Sequence, residues 1–346
     1  MAEVSVALAT FNGARFLRQQ LESYERQTRL PAELVVGDDG STDDTLEILT
    51  RFAKSASFPV RILAPVGHLG FADNFLRTAK ACAGDFIAFS DQDDVWLPRK
   101  LEEGLRHLER DGACLALHTS VLTDESLSPV GLHRQEIIQS KVYQPLQLDP
   151  YVGLGWGNTM IFSRRLLELV AAENRPKQPE ANNRLLSHDT WIYVLAAAIG
   201  RVSHIDEPLC WYRQHGASAF GIAKPPLLQR IRASTEVPLV RHQCRAEFYR
   251  AMAVIFDELK SSSDPALANA ARLAAERYGQ RCAYVQSRIR VYTGETISVR
   301  LKEFLRLPEL HARGFAVVPR LSSRLKDFVL GVLGLGRVGP QRDSRL

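Results

Sequence analysis

The chain has 346 residues, 45% hydrophobic and 24% charged, with a formal net charge of +5. That composition fits a folded globular protein of one or two domains and excludes disordered, fibrous and collagen-like classes. No apolar run reaches the roughly 18–20 residues that span a bilayer, and residues 1–5 show no basic region leading into an apolar one, so no secretory signal is expected.

Residues 4–9 are continuously apolar or small and predict a buried strand. The turn Thr10-Phe11-Asn12-Gly13 follows, with Asn12 placed to cap a helix carrying Leu17, Leu21 and Tyr24 on one face. Residues 33–37 read as a second strand ending on Asp38-Asp39-Gly40-Ser41. Ser41 and Asp44 then have the spacing of a capping box for a helix through Leu49 and Phe52. Residues 60–63 predict a third strand, and a loop with Gly67 and Gly70 leads to a helix at about 74–83. The fourth strand, 86–90, stops abruptly on Asp91, Asp93 and Asp94. This β-α-β-α-β-α-β rhythm predicts an α/β fold with a mostly parallel sheet flanked by helices.

Residues 113–118 predict another strand, and 124–150 are polar and irregular, as in a loop-rich acceptor region. A glycine-rich stretch at 153–159 precedes an apolar run at 160–162, and helices are expected at about 164–173 and 188–198. Lys224-Pro225-Pro226 marks the expected boundary between a domain at 1–224 and a mainly helical C-terminal region at 225–346. Beyond it basic residues outnumber acidic ones about two to one, which suits an anionic partner such as a membrane surface. Residues 319–330 alternate basic and apolar side chains at near-helical spacing, followed by Arg337, Arg342 and Arg345. That pattern fits either an interfacial amphipathic helix or a terminal helix docked on its own domain. The five cysteines, Cys82, Cys114, Cys210, Cys244 and Cys282, form no Cys-x-x-Cys pair, which argues against a zinc site and for a reducing, cytoplasmic setting.

Three strand ends carry polar groups: Thr10, the Asp38/Asp39 pair, and the Asp91/Asp93 pair. In a parallel sheet all three project over one edge, where open α/β sheets bind ligands. Clustered carboxylates there suit a divalent cation shared with a phosphate. Each motif alone is a common turn or helix entry; their occurrence in order, each after a strand, is the informative feature.

Together these stretches resemble family 2 glycosyltransferases of GT-A fold. The resemblance rests on Thr10-Phe11-Asn12-Gly13, residues 36–43, 70–75 and 89–101, Gly157-Asn158-Thr159, His188-Asp189-Thr190-Trp191 and residues 207–216. The Asp-Gln-Asp-Asp-Val-Trp form at 91–96 is most similar to the rhamnosyltransferase-like branch. The resemblance implies an inverting enzyme that uses Mg²⁺ or Mn²⁺ and a dTDP- or UDP-linked sugar donor, with dTDP-rhamnose foremost. The acceptor would be a bacterial surface glycan or lipid-linked sugar at the cytoplasmic membrane face. It places Thr10, Phe11, Asn12, Asp38, Asp39, Asp91 and Gln92 around the nucleotide, leaving open whether Asp38 or Asp39 faces the base. Asp91, Asp93 and His215 are the implied metal set. Asp189 is the implied base, in preference to the alternative that it only caps a helix, since one carboxylate can do both. Lys100, Asn158, His188, Trp191 and Arg213 are the implied substrate set, with Trp191 equally at home in a core and His188 equally able to orient Asp189. Other readings are a sugar nucleotidyltransferase, whose glycine-rich arginine loop the stretch 10–15 lacks, and an inactive nucleotide-sugar-binding scaffold. Nucleic acid is not an expected partner, since no binding motif or interleaved aromatics accompany the basic residues.

Overall fold

The computed structural model describes residues 2–135, 137–148, 155–179, 184–216, 239–314 and 321–335. They fall into two compact units, one of residues 1–174 with 187–221, the other of residues 175–186 with 222–346. The expected boundary at 224–226 lies outside the described residues.

The first unit is built on a ten-stranded sheet. Its strands are β1 (Val4–Thr10), β2 (Glu33–Asp38), β3 (Val60–Ile62), β4 (Phe86–Ser90), β5 (Val95–Trp96), β6 (Leu115–Thr123), β7 (Pro129–His133), β8 (Lys141–Tyr143), β9 (Met160–Ser163) and β10 (Val202–Arg213). The spatial order is β3-β2-β1-β4-β9-β6-β10-β5, with β7 on β6 and β8 on β10. β3, β2, β1 and β4 are parallel. Beyond β4 the sheet is mixed: β9 runs antiparallel to both neighbours, and β10 is parallel to β6 but antiparallel to β5 and β8. Helices α1 (Ala14–Glu25), α2 (Thr45–Ala53), α3 (Phe71–Lys80), α4 (Lys100–Asp111) and α5 (His188–Ile199) flank it. Val6, Leu8, Val36, Ala88 and Ile161 of the sheet pack with Leu17, Leu21, Leu101 and Leu105 of the helices in one fully buried cluster. Gly37 lets α3 reach the sheet, because a Cβ there would fall 2.0 Å from Thr78 Oγ1.

Several local expectations need correction. The expected helix at 164–173 is two short 3-10 turns, Arg164–Leu167 and Ala172–Asn174. The irregular region after 124 contains β7 and β8. Asn12 does not cap α1; it stands at φ 48°, and its Oδ1 accepts the Thr42 N–H at 2.8 Å. Asp43 does the capping instead, accepting from the Ala14 N–H at 3.0 Å and the Thr45 N–H at 3.1 Å. Ser41 is drawn away from the capping box because its hydroxyl donates to Asp38 Oδ2 at 2.6 Å.

The second unit is helical: α6 (Leu239–Leu259), α7 (Pro265–Thr293), α8 (Ile297–Gly314) and α9 (Leu321–Lys326), with a π-helical turn at Asp327–Val332. Asp264 caps α7 by accepting the Ala266 N–H at 2.9 Å, and Pro265 occupies the first turn, where its missing N–H leaves nothing unpaired. Phe256 and Tyr249 pack on Tyr278 between α6 and α7. Asp327 is buried, and accepts from Arg288 Nε at 2.9 Å and from the Tyr292 hydroxyl, which ties the last turn to α7. Residues 315–320 and 336–346, including Arg320, Arg337, Arg342 and Arg345 of the basic tail, lie outside the described residues. No described helix is long and apolar enough to cross a membrane.

Candidate active site

The carboxyl ends of β1, β2 and β4 converge, as their parallel register requires. Thr10 stands opposite Asp38, and its hydroxyl donates to Asp38 Oδ2 at 2.8 Å. That oxygen also takes the Ser41 hydroxyl, while Oδ1 accepts the N–H groups of Gly40 and Ser41 at 3.1 and 2.9 Å. Four donors fill the carboxylate's four lone-pair sites. Asp38 therefore braces the turn. Asp39 Oδ1 accepts the Leu69 N–H at 2.6 Å and Oδ2 the Gly70 N–H at 2.8 Å, with His68 Nδ1 3.0 Å from Oδ2, latching the loop before α3. Gln92 holds Phe11 from both sides, accepting its N–H at 2.9 Å and donating to its carbonyl at 3.0 Å. The Phe11 ring stays 46% exposed, 5.1 Å from the exposed ring of His68. Sequence reasoning did not single out His68; only its place in the glycine-flanked loop 67–70 pointed to it.

Beyond β4 the chain gathers acid. Asp91 is half-buried, and among the described residues its carboxylate accepts no protein hydrogen bond. Desolvation, then the charges of Asp94, Asp93 and Asp189, push its pKa well above the ordinary range. Asp93 Oδ2 lies 2.8 Å from His215 Nε2. Asp94 is fully buried; it accepts Asn158 Nδ2 at 2.6 Å and the Arg213 N–H at 3.2 Å, and desolvation followed by the Asp93 charge raises its pKa to about 7. Asp189 opens α5. The N–H of Thr190 and the hydroxyl of Ser187 both donate to its Oδ1, leaving Oδ2 without a protein partner among the described residues.

All five residues expected to touch substrate are buried. Lys100 is completely buried; its ammonium donates to the Asn158 carbonyl at 2.5 Å and lies 4.0 Å from the Trp96 ring centroid. Desolvation pulls its pKa down to about 8. Asn158 is buried on Asp94. Trp191 is 1% exposed and belongs to the core. Arg213 is 2% exposed, and its guanidinium donates to the Asp93 carbonyl at 2.8 Å, the Glu125 carbonyl at 2.6 Å and Gln19 Oε1 at 2.5 Å, over the Phe16 ring at 4.4 Å. Burial and contacts within the protein leave these four side chains little exposed surface. His188 is buried as well, stacked on Phe75 at 3.9 Å and edge-on to Phe89 at 4.8 Å, so it anchors the first turn that carries Asp189.

No three His, Cys, Asp or Glu side chains form a ready metal cage among the described residues. A small hard cation needs less from the protein, since it keeps several waters and shares one or two carboxylates with substrate phosphates. Asp91, with no protein donor and three acidic neighbours, and Asp93 beside His215 fit such a cation.

Residues 5–170 match the family described as Glycosyl transferase family 2. That segment is similar to family 2 glycosyltransferases. An uncharacterized glycosyltransferase of Nostoc sp. is 26% identical over 226 residues, which cover 62% of this chain and 66% of that protein. The dTDP-rhamnosyl transferase RfbG of Shigella flexneri is 27% identical over 220 residues, covering 62% of this chain and 73% of that protein. In fold, the chain is similar to residues 1–349 of S. aureus TarS, solved with UDP-GlcNAc: the TM-score is 0.53 at 16% identity, over 90% of this chain and 81% of that one. The GT-A-type α/β fold expected from the motifs is thus the fold observed.

Proposed function

We propose that the chain transfers a sugar from a nucleotide donor to a hydroxyl of a surface-glycan or lipid-linked acceptor, with inversion at the anomeric carbon. The observation that carries this is the juxtaposition of Asp91, with its unpartnered carboxylate, and Asp189, whose charge reaches it and whose Oδ2 is open. Phe11 and His68 would flank the base, and Asp39 would accept its ring N–H on a remaining lone pair. Asp91 and Asp93, with His215, would hold Mg²⁺ or Mn²⁺, which supplies electrostatic stabilisation of the departing diphosphate. Asp189 Oδ2 takes the proton from the acceptor hydroxyl as that oxygen attacks the anomeric carbon, and the nucleoside diphosphate leaves from the opposite face. Rhamnose from dTDP-rhamnose is the favoured donor, supported by the Asp-Gln-Asp-Asp-Val-Trp motif and by the likeness to the rhamnosyl transferase of S. flexneri. Residues 1–224 would hold this site, and the basic 225–346 region would favour an anionic membrane surface where a lipid-linked acceptor resides.

A screen of nucleotide sugars with Mn²⁺, read as release of nucleoside diphosphate, tests the reading. Turnover should be highest with dTDP-rhamnose, vanish in chelator and vanish in Asp93→Ala. Full activity in chelator would remove the metal; turnover confined to a UDP-sugar would remove rhamnose and leave the reaction class standing.

A further inference from the structure

Beside the carboxylates lies a group of rings that the proposed reaction does not yet use. His133 and Trp156 have ring centroids 4.7 Å apart at 76°, Trp156 and Tyr212 5.5 Å apart at 64°, and His133 and Tyr212 6.2 Å apart. They come from three separate strands and turns, brought together by register. Cys210, Ser120 and His133 share one row of the sheet, and Tyr212, Leu122 and Gly131 the next row on the same face. Gly131 puts no side chain in the Tyr212 row. Unlike the buried core rings of Trp96, Phe89 and Trp191, all three are only half-buried.

We propose that His133, Trp156 and Tyr212 form a platform on which the apolar face of the acceptor's sugar ring stacks. The proposal rests on the glycosyltransferase reading and names the part of the acceptor that the site grips. A pyranose presents a face of C–H bonds, which carry partial positive charge and suit the negative face of an aromatic ring. The location is what a sugar acceptor requires. On one side, Trp156 precedes Gly157, where an added Cβ would stand 3.5 Å from Asp189 Cβ. On the other, Tyr212 precedes Arg213, whose N–H bonds Asp94 and whose Nε bonds the Asp93 carbonyl. The platform thus borders, through the chain neighbours of Trp156 and Tyr212, the backbone that meets Asp189 and Asp94. The platform is also braced. Gln135, 4% exposed, accepts the N–H groups of Gly155 and Trp156 at 3.0 and 2.9 Å and donates to the His118 carbonyl and Thr159 Oγ1. Burial lowers the His133 pKa, so at neutral pH its ring is uncharged and presents an apolar face.

Saturation-transfer NMR of the full chain with methyl glucoside, methyl rhamnoside and methyl N-acetylglucosaminide tests this, with UDP and dTDP as separate probes. Irradiating aromatic protons should saturate the C–H protons of one face of at least one sugar. Trp156→Ala should weaken that signal roughly three- to tenfold, the scale of one aromatic stacking contact, and Trp156→Phe should keep most of it. Tyr212→Leu repeats the test should Trp156→Ala fail to fold, with nucleotide saturation reporting on folding in each variant. No sugar saturation in the wild type, or equal saturation in the folded variants, overturns the platform. Absence of nucleotide binding and of donor turnover in the wild type would instead strike the glycosyltransferase reading itself.

Discussion

Arg213 separates two accounts of this site, and Arg213→Met decides between them. If the guanidinium touched the donor diphosphate, its loss would weaken donor binding and leave the fold intact. The observed contacts argue otherwise. Three protein oxygens, the Asp93 and Glu125 carbonyls and Gln19 Oε1, each accept one guanidinium N–H, and the plane lies over Phe16. Hydrogen bonds from a charged donor contribute about 1.5–3 kcal/mol each, and removing one partner of a buried ionic network costs about 3–5 kcal/mol net, because the acceptors are left unpaired. Methionine matches the stem and fills most of the volume, so cavity formation adds little. For a unit of about 200 residues each kcal/mol shifts Tm by about 2–4 °C, so the calorimetric transition that nucleotide raises should fall by about 10 °C. Arg213→Lys, which keeps the charge and loses the fork, should fall by about half as much. A variant as stable as the wild type but deficient in nucleotide binding would refute the structural role and restore Arg213 to the substrate set.

Asp189→Asn should keep nucleotide affinity and lose transfer by about 10²–10⁴-fold, since the amide accepts no proton; transfer at the wild-type rate in a single-turnover assay would remove Asp189 as the base. Gly157→Ala puts a Cβ 2.8 Å from His188 Nε2, and His188 is wedged between Phe75 and Phe89. The strain of about 1–3 kcal/mol should appear as a lowered kcat with little change in nucleotide Kd, read by steady-state kinetics and calorimetric titration. His242 in α6 lies 6.0 Å from Tyr292, and desolvation, then Arg288, Arg245, Arg241 and Lys326, hold its pKa down to about 3. The unfolded chain binds this proton near pH 6.5 and the folded one does not, so stability is lost as pH falls from about 6.5 to 3, by a few kcal/mol. His242→Phe should flatten that slope in urea titrations at pH 7 and pH 4; an unchanged slope would place the sensitivity elsewhere.

The parallel half of the sheet was legible because β1, β2 and β4 are buried on both faces and read as unbroken apolar runs. The mixed half was not. β7 is exposed along almost its whole length, so no alternation marks it. The segment 164–174 carries helix-forming residues yet turns twice in 3-10 geometry, because its placement is set by β9 and α3 rather than by propensity. At the site the residue types were readable and their orientations were not. Asp38 and Asp39 are neighbours with the same chemistry, and only the structure separates their partners: two hydroxyls and two backbone N–H groups on Asp38, two backbone N–H groups and His68 Nδ1 on Asp39. Trp156 and Tyr212 were within recognised stretches, but the platform exists only through the pairing of β6 with β7 and β10, which sequence spacing does not reveal.

The partners of each side chain also explain why an acidic run of four residues does four different things. Gln92 is committed to Phe11, Asp94 to Asn158 and the Arg213 N–H, and Asp93 to His215, whereas Asp91 has no protein donor among the described residues. A carboxylate held among three others without a donor is unfavourable unless a cation or proton arrives. Lys100 lowers that penalty from below, lying within electrostatic reach of Asp94 and Asp91, but its ammonium is turned to the Asn158 carbonyl and sealed from solvent. The positive charge is thus fixed under the site and the uncompensated negative charge is left at Asp91, where a ligand's cation would meet it. On this argument Lys100→Met should raise the Asp91 pKa further and weaken nucleotide binding in the absence of metal least of all, while shifting the Mn²⁺ concentration for half-maximal activity. A Mn²⁺ dependence identical to that of the wild type would show that the buried ammonium does not set the charge of the acidic cluster.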